Sequence, residues 1–225
     1  MSTRTSEISA AVEDYAKAIY ALQTRADGAV TTNALAERLG VTAASASGMV
    51  KRLAELGLAE HRPYHGVELT DRGRDLALEM LRHHRLLELY LAESLGVPWD
   101  RVHAEAEVLE HVLSEELEEL IATKLGDPTR DPHGDPIPTR DLLIEEAPTN
   151  SLDSLAAGAS GTFVRISDSD SEMLRYLSKR GIAPGARFEV VEKQPFGGPL
   201  FVRFGDPVHV LGGELAAAMC VEVDP

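Results

Sequence analysis

The chain has 225 residues, 44% of them hydrophobic, and its 37 acidic and 22 basic side chains give a formal net charge of -15. That length suits two or three domains, and the apolar content suffices for packed cores, which excludes wholesale disorder. No apolar run approaches the roughly 20 residues that span a bilayer, the first residues lack a hydrophobic signal core, and a lone cysteine, Cys220, excludes an internal disulfide or a multi-thiolate zinc site. A cytoplasmic protein with no membrane partner is expected.

The acidity is uneven. Residues 1–75 sum to -1, 76–146 to -11 and 147–225 to -3. A strongly acidic chain argues against nucleic acid, but its near-neutral first third can still present a basic face.

In that first third, Ile8, Ala11, Val12, Tyr15, Ala18, Ile19 and Leu22 recur at helical spacing over residues 8–24. Thr31-Thr32-Asn33 offers an N-cap for a short helix ending at Leu39, and Gly40-Val41-Thr42 makes a tight turn. A third helix is predicted from Ala43 to Leu56, stopped by Gly57, and two strand-like pieces then flank Pro63 and Gly66. Helix, short helix, turn, helix and β-ribbon is the order of a winged helix-turn-helix over residues 1–75.

The third helix would read DNA. Thr42, Ser45 and Ser47 suit phosphates, Ala44 or Ala46 suits thymine methyls, Gly48 permits close approach, and Lys51 and Arg52 suit backbone neutralisation. No side chain capable of bidentate base contacts precedes Arg52, so specificity should lean on half-site spacing and DNA shape.

Thr70-Asp71 caps a long helix predicted to reach Leu95, in which Leu86, Leu87, Leu89, Tyr90 and Leu91 wrap more than one face. Packing on two sides implies a partner, and a homodimer is the natural reading for two-fold operator DNA. Helices are predicted over Trp99–Val112 and Ser114–Leu125. Asp131–Pro138, with three prolines and a glycine, cannot be helical. From Ala159 the pattern changes to strands at 161–166, 187–192, 200–204, 209–211 and 219–223, with one helix near 170–180, which is the spacing of a small β-barrel. The expected fold is mainly α with β: a winged helix (1–75), a helical metal-binding and dimerisation domain (76–146) and a barrel (147–225).

The most informative stretch is His103-Ala-Glu-Ala-Glu107-Val-Leu-Glu110-His111. Read as continuous helix, it places His103, Glu107, Glu110 and His111 on one side. Converging carboxylates and imidazoles repel unless a cation holds them, and a divalent metal wants such deprotonated oxygens and neutral nitrogens. His84 and Glu88 share a face of the long helix, and Asp14 lies on the first. Taken singly, such pairs are more often surface salt bridges or solvated acids. Their joint occurrence on three helices points to one or two ions per subunit. His61, His65, His133 and His209 have no companions at ligand spacing and are read as structural or exposed, and Cys220 as core.

The chain resembles the diphtheria-toxin-repressor family, which includes iron-dependent regulators and manganese-sensing MntR-like repressors. The likeness lies in Glu13-Asp-Tyr-Ala-Lys-Ala-Ile-Tyr20, Ala36-Glu-Arg-Leu39, Leu69-Thr-Asp-Arg-Gly73, His84-Arg-Leu-Leu-Glu88, Trp99-Asp-Arg-Val-His-Ala-Glu105, Glu110-His111 and Asp131–Pro138. It implies an SH3-like, FeoA-like barrel. It also implies a regulatory site of Asp14, Glu107, Glu110 and His111, and an ancillary site of His84, Glu88 and His103. Relatives add barrel ligands, for which Asp168 and Arg165 lie nearby; Asp168 can ligate and Arg165 cannot.

Iron-responding relatives carry methionine and cysteine at the positions of Asp14 and Glu107. Two carboxylates there favour Mn(II) over Fe(II). Short manganese-sensing relatives have glutamate at the position of Lys17, and a protonated lysine cannot ligate a second ion. The resemblance thus implies a metal-activated repressor of manganese-homeostasis genes, with an Fe(II)-responsive repressor as the alternative. A metallohydrolase is remote: Glu107-x-x-Glu110-His111 misses the zinc-peptidase pattern by one residue, and no nucleophile signature appears. No enzyme is expected. A metal-independent winged-helix dimer would keep binding operator DNA in chelator.

Overall fold

The computed structural model describes residues 8–26, 29–62, 66–145, 148–168 and 170–225. It divides into two compact units. The first contains residues 1–83, 110–113 and 138–143; the second contains 84–109, 114–137 and 144–225.

In the first unit, α1 (Ala10–Ala26), α2 (Thr32–Leu39) and α3 (Ala43–Glu55) precede the ribbon β1 (Ala59–Arg62) and β2 (Gly66–Leu69). Local chemistry sets the boundaries. Thr31 Oγ1 accepts from Ala34 N and Thr42 Oγ1 from Ser45 N, so each threonine satisfies a donor left over at a helix start. Gly40 takes φ +64 and donates back to the last turn of α2, a conformation that costs glycine no Cβ clash. Ile19, Leu35, Ala46, Val50, Leu53, Leu58 and Val67 are wholly buried and form the core. Val30 and Val67 exchange backbone hydrogen bonds at 2.9 Å, which ties the ribbon to the chain between α1 and α2. The predicted ribbon is present; His65 and Pro63 lie outside the described residues.

The long helix α4 (Asp71–Leu95) starts in the first unit and ends in the second. Its apolar positions do not support a two-sided helix waiting for a partner. Leu86, Leu87, Leu89 and Leu91 are buried within the chain itself, and Leu95 is the exposed one. Exposed apolar side chains of the second unit include Val108 and Leu109 on α5 (Val102–Leu109) and Leu117 and Leu120 on α6 (Glu115–Lys124), with others such as Phe196 and Val210 further along the chain.

The predicted helix to Val112 stops early. Glu110–Val112 form a 3-10 turn after α5, and that turn belongs to the first unit while α5 belongs to the second. Ser114 then caps α6 as expected, accepting from Leu117 N.

The rest of the second unit is a six-stranded antiparallel sheet in the order β3-β8-β4-β5-β6-β7, with β3 at Asn150–Ser151, β4 Ser160–Ile166, β5 Arg187–Lys193, β6 Leu200–Phe204, β7 Val208–Leu211 and β8 Met219–Val223. Bulges interrupt β4 near Val164 and β5 near Val191, the irregularity that bends strands in small barrels. Phe163, Val190, Val202, Leu211 and Val221 fill the interior with Leu174 and Leu177 of α7 (Ser171–Ser178). Alternation revealed the five longer strands. It did not reveal two-residue β3 or the short helix α8 (Gly213–Ala218). Among the described residues no helix is long and apolar enough to cross a membrane.

Candidate metal centres

The first unit brings together Asp14, Glu110 and His111, whose ligand atoms lie within 4.8 Å of one another. Asp14 comes from the first turns of α1; Glu110 and His111 come from the 3-10 turn. His111 Nε2 stands 3.2 Å from Asp14 Oδ1 and 3.8 Å from Glu110 Oε1. Glu110 is fully buried and accepts from Lys17 Nζ at 2.6 Å, so an ammonium offsets one charge. The turn is anchored from α4, where the buried His83 Nδ1 donates to the Glu110 carbonyl at 3.3 Å. His111 Nδ1 faces Glu13 Oε2 at 2.6 Å, a contact that no helical spacing revealed because the residues are 98 apart.

The second unit holds the other donors around Glu88, which is 1% exposed. Its Oε1 lies 3.1 Å from His84 Nε2 and 3.4 Å from His103 Nδ1, and its Oε2 lies 3.7 Å from His133 Nδ1. Asp168 Oδ2 is 2.8 Å from His103 Nδ1, and His84, Glu88, His103 and Asp168 share one ligand-sized space. Glu107 borders this cluster, 3.8 Å from His84 Nδ1 and 3.9 Å from His103 Nε2. Of the stretch from His103 to His111, the first two donors lie on α5 and the last two on the 3-10 turn that follows it.

His133 is structural rather than exposed, and it also faces Glu88. It is completely buried, and Glu88, Asp131 and His133 form a further group of donors. His133 Nε2 donates to the Trp99 carbonyl at 2.8 Å, with the two rings stacked, which leaves Nδ1 turned towards Glu88. Asp131 Oδ1 accepts from the backbone N–H of both His133 and Asp135 and shapes the Asp131–Pro138 loop. Sequence spacing missed both residues, since they reach Glu88 only through tertiary contact. The loop's run of prolines around His133 was the available signal. Arg165 is no ligand, as expected, and faces Asp135 at 3.5 Å.

These groups fit a hard divalent cation. Neither Glu88 oxygen receives a well-formed hydrogen bond despite its burial, and the same is true of His133 Nδ1. Oxygen and imidazole are the donors such ions take. Until one arrives, protons hold the cluster. Contact with Asp168, then with Glu88, pushes His103 up to about 10. Burial opposes the charge on His133, but its contact with Glu88 and attraction to that carboxylate push it up to about 9. Burial, reinforced by Asp135, raises Asp131 to about 8. Glu88 is held well below the carboxylate range: burial works against this, and His103, His133 and His84 outweigh it.

The signs give a pH prediction. His103 and His133 titrate near 6.5 when unfolded and near 10 and 9 when folded. Their contribution to the metal-free fold is thus complete below pH 6.5 and fades as pH rises through 9 and 10. Metal must displace those protons. Its affinity for this centre should fall by about 100-fold per pH unit between 8 and 6, on the order of two protons released per ion. Calorimetric titration in buffers of different ionisation heat measures that number, and zero protons would refute it.

The reading-helix candidates Ala44, Ser45, Ser47, Gly48, Lys51 and Arg52 are all exposed on α3, as is Thr42 at its cap. Ala46 is not: it lies fully in the core and cannot touch a thymine methyl. The Thr42 hydroxyl is engaged as the helix cap and lies 2.9 Å from the Ser45 hydroxyl.

Comparison with known proteins fits these features. Residues 7–67 match the iron dependent repressor N-terminal DNA binding domain, 70–139 the iron dependent repressor metal binding and dimerisation domain, and 150–223 the FeoA domain. The iron-dependent repressor IdeR of Mycobacterium tuberculosis is 34% identical over 223 residues, covering 93% of this chain and 96% of that protein. The chain belongs to the iron-dependent repressor family. Members of this family are metal-dependent transcriptional repressors with a helical DNA-binding domain, a helical dimerisation domain and an SH3-like FeoA domain. The diphtheria toxin repressor of Corynebacterium efficiens is 31% identical over 222 residues, covering 93% of this chain and 94% of that one. Among solved structures, a manganese-dependent transcriptional repressor in complex with manganese is 44% identical, with a TM-score of 0.85 over 93% of this chain and 98% of that one. The manganese regulator SloR is 28% identical with a TM-score of 0.74, over 95% and 98% of the two chains.

Proposed function

We propose that this chain is a Mn(II)-activated repressor that binds two-fold operator DNA in the cytoplasm as a homodimer and controls manganese-homeostasis genes. The carrying observation is the approach of Asp14 on α1 to His111 and Glu110 on the 3-10 turn, within the unit that contains the reading helix. Asp14, Glu110 and His111 would hold the regulatory ion, joined by Glu107 as the family resemblance implies. His84, Glu88, His103 and Asp168 would hold an ancillary one. A bound divalent cation supplies positive charge to these acids beyond that of the Lys17 ammonium. Asp14 then restrains α1, and through α1 the helices packed on it, which favours the arrangement competent for DNA. Linkage requires operator DNA to tighten metal binding in return.

All-oxygen and imidazole donors support manganese, because the softer sulfur donors that favour other ions are absent from the set. The manganese-bound structural relative supports it too. Fe(II) remains the second reading, on the strength of the IdeR relative. For dimerisation, the exposed Val108, Leu117 and Leu120 offer apolar surface suited to a second copy. The three-domain division at 75/76 and 146/147 follows the same reading.

A fluorescence-anisotropy titration on DNA from upstream of the coding region tests the function. Mn(II) is expected to tighten binding by at least about 100-fold over chelator, a coupling of about 2.7 kcal/mol. Binding retained in chelator would select the metal-independent dimer. Stronger activation by anaerobic Fe(II) at equal free concentration would select the iron sensor.

A further inference from the structure

An imidazole that ligates through one nitrogen presents a proton on the other, and that proton needs an acceptor. In the first unit the two edges of His111 face different carboxylates. Nε2 looks towards Asp14 and Glu110, while Nδ1 meets Glu13 Oε2 at 2.6 Å. An acid in the first turn of a helix is ordinarily accounted for by the helix dipole, which an exposed side chain satisfies equally well. Glu13 is 5% exposed, and its oxygen is spent on an imidazole 98 residues away. The dipole does not require that burial. A carboxylate behind a ligating histidine fixes the proton position and the ring plane, and it increases the basicity of the opposite nitrogen.

We propose that Glu13 is the positioning residue of the regulatory metal centre: it holds the proton of His111 on Nδ1, so that Nε2 is presented to the ion beside Asp14 and Glu110. This rests on the reading of Asp14, Glu110 and His111 as ligands. Neighbouring residues of α1 then have separate duties, Asp14 as ligand and Glu13 as orienter. Ordering of the first turns of α1 thereby contributes to metal affinity twice.

The test uses the full-length protein, Mn(II) for affinity and Zn(II) as a diamagnetic probe. Titration calorimetry is run on wild type, Glu13→Gln, Glu13→Ala and His111→Ala, each carrying His103→Ala to weaken the second unit's centre. Glu13→Ala is expected to raise the Mn(II) Kd by about 10- to 100-fold. Glu13→Gln, whose amide oxygen still accepts, should raise it only several-fold. Nitrogen-15 spectra of the Zn(II) form should show His111 ligating through Nε2 with a proton on Nδ1. A purely structural Glu13 would lower the melting temperature and leave the Kd of the folded protein unchanged, which overturns the proposal, as does ligation through Nδ1. If Glu13→Ala does not fold, the Glu13→Gln Kd decides. A Kd unaffected by His111→Ala would instead remove the metal centre itself, and this inference with it.

Discussion

Glu110→Gln is expected to abolish Mn(II)-dependent operator binding, with metal affinity at the regulatory centre reduced by about 100-fold or more. Glu110 has no exposed surface, and its carboxylate serves both the 2.6 Å contact with Lys17 and the face presented to His111 Nε2. An amide keeps the shape and loses the charge. Lys17 then loses this ion pair in a largely buried setting, which should cost about 3 kcal/mol, the lower part of the range for breaking a buried pair, because the lysine keeps a fringe of water contact. Two measurements follow: urea unfolding of the metal-free protein, and anisotropy on operator DNA with Mn(II). Wild-type metal response together with wild-type stability would show that Glu110 is merely a packed acid.

Gly134→Ala should have a comparably large effect on the second unit and spare the first. Gly134 has φ +86, and a Cβ on it would stand 1.8 Å from the Val164 carbonyl oxygen and 3.0 Å from Arg165 Cα. Those neighbours are backbone atoms of β4, so no flexible side chain can yield. The loop would have to lift off the strand and give up the hydrogen bond from Ile166 N to His133 O at 3.0 Å. His133 sits on that loop, and Asp168 follows the end of β4. A destabilisation of about 4 kcal/mol is expected from the clash and the left-handed backbone combined. Metal stoichiometry should drop by the second unit's share, while the Asp14, Glu110 and His111 centre persists. Unchanged hydrogen exchange along β4 would contradict this account.

The donor inventory was largely legible beforehand, and its partition was not. Asp14, Glu110 and His111 do converge, as do His84, Glu88, His103 and Asp168. Glu107 borders His84 and His103 on α5, and Glu110 and His111 lie on a 3-10 turn where continuous helix was expected. Asp131 and His133 were invisible as donors because they belong to a proline-rich loop without periodicity. Glu13 was invisible for a different reason: an acid at a helix start already has a sufficient local explanation. On α4, Leu86, Leu87, Leu89 and Leu91 of an apolar pattern that implied a partner are covered by the chain itself, whereas Val108, Leu109, Leu117 and Leu120 on α5 and α6 are exposed.

Local order was determined by the amino-acid sequence alone. Threonine and serine caps at Thr31, Thr42 and Ser114, the left-handed Gly40 and strand alternation act over a few residues, and such interactions are written in neighbouring side chains. Tertiary structure decided which donors share a space. Glu13 finds His111 across 98 residues and Lys17 finds Glu110 across 93. Ligand geometry depends on angles and distances between remote segments, which spacing along the chain does not encode.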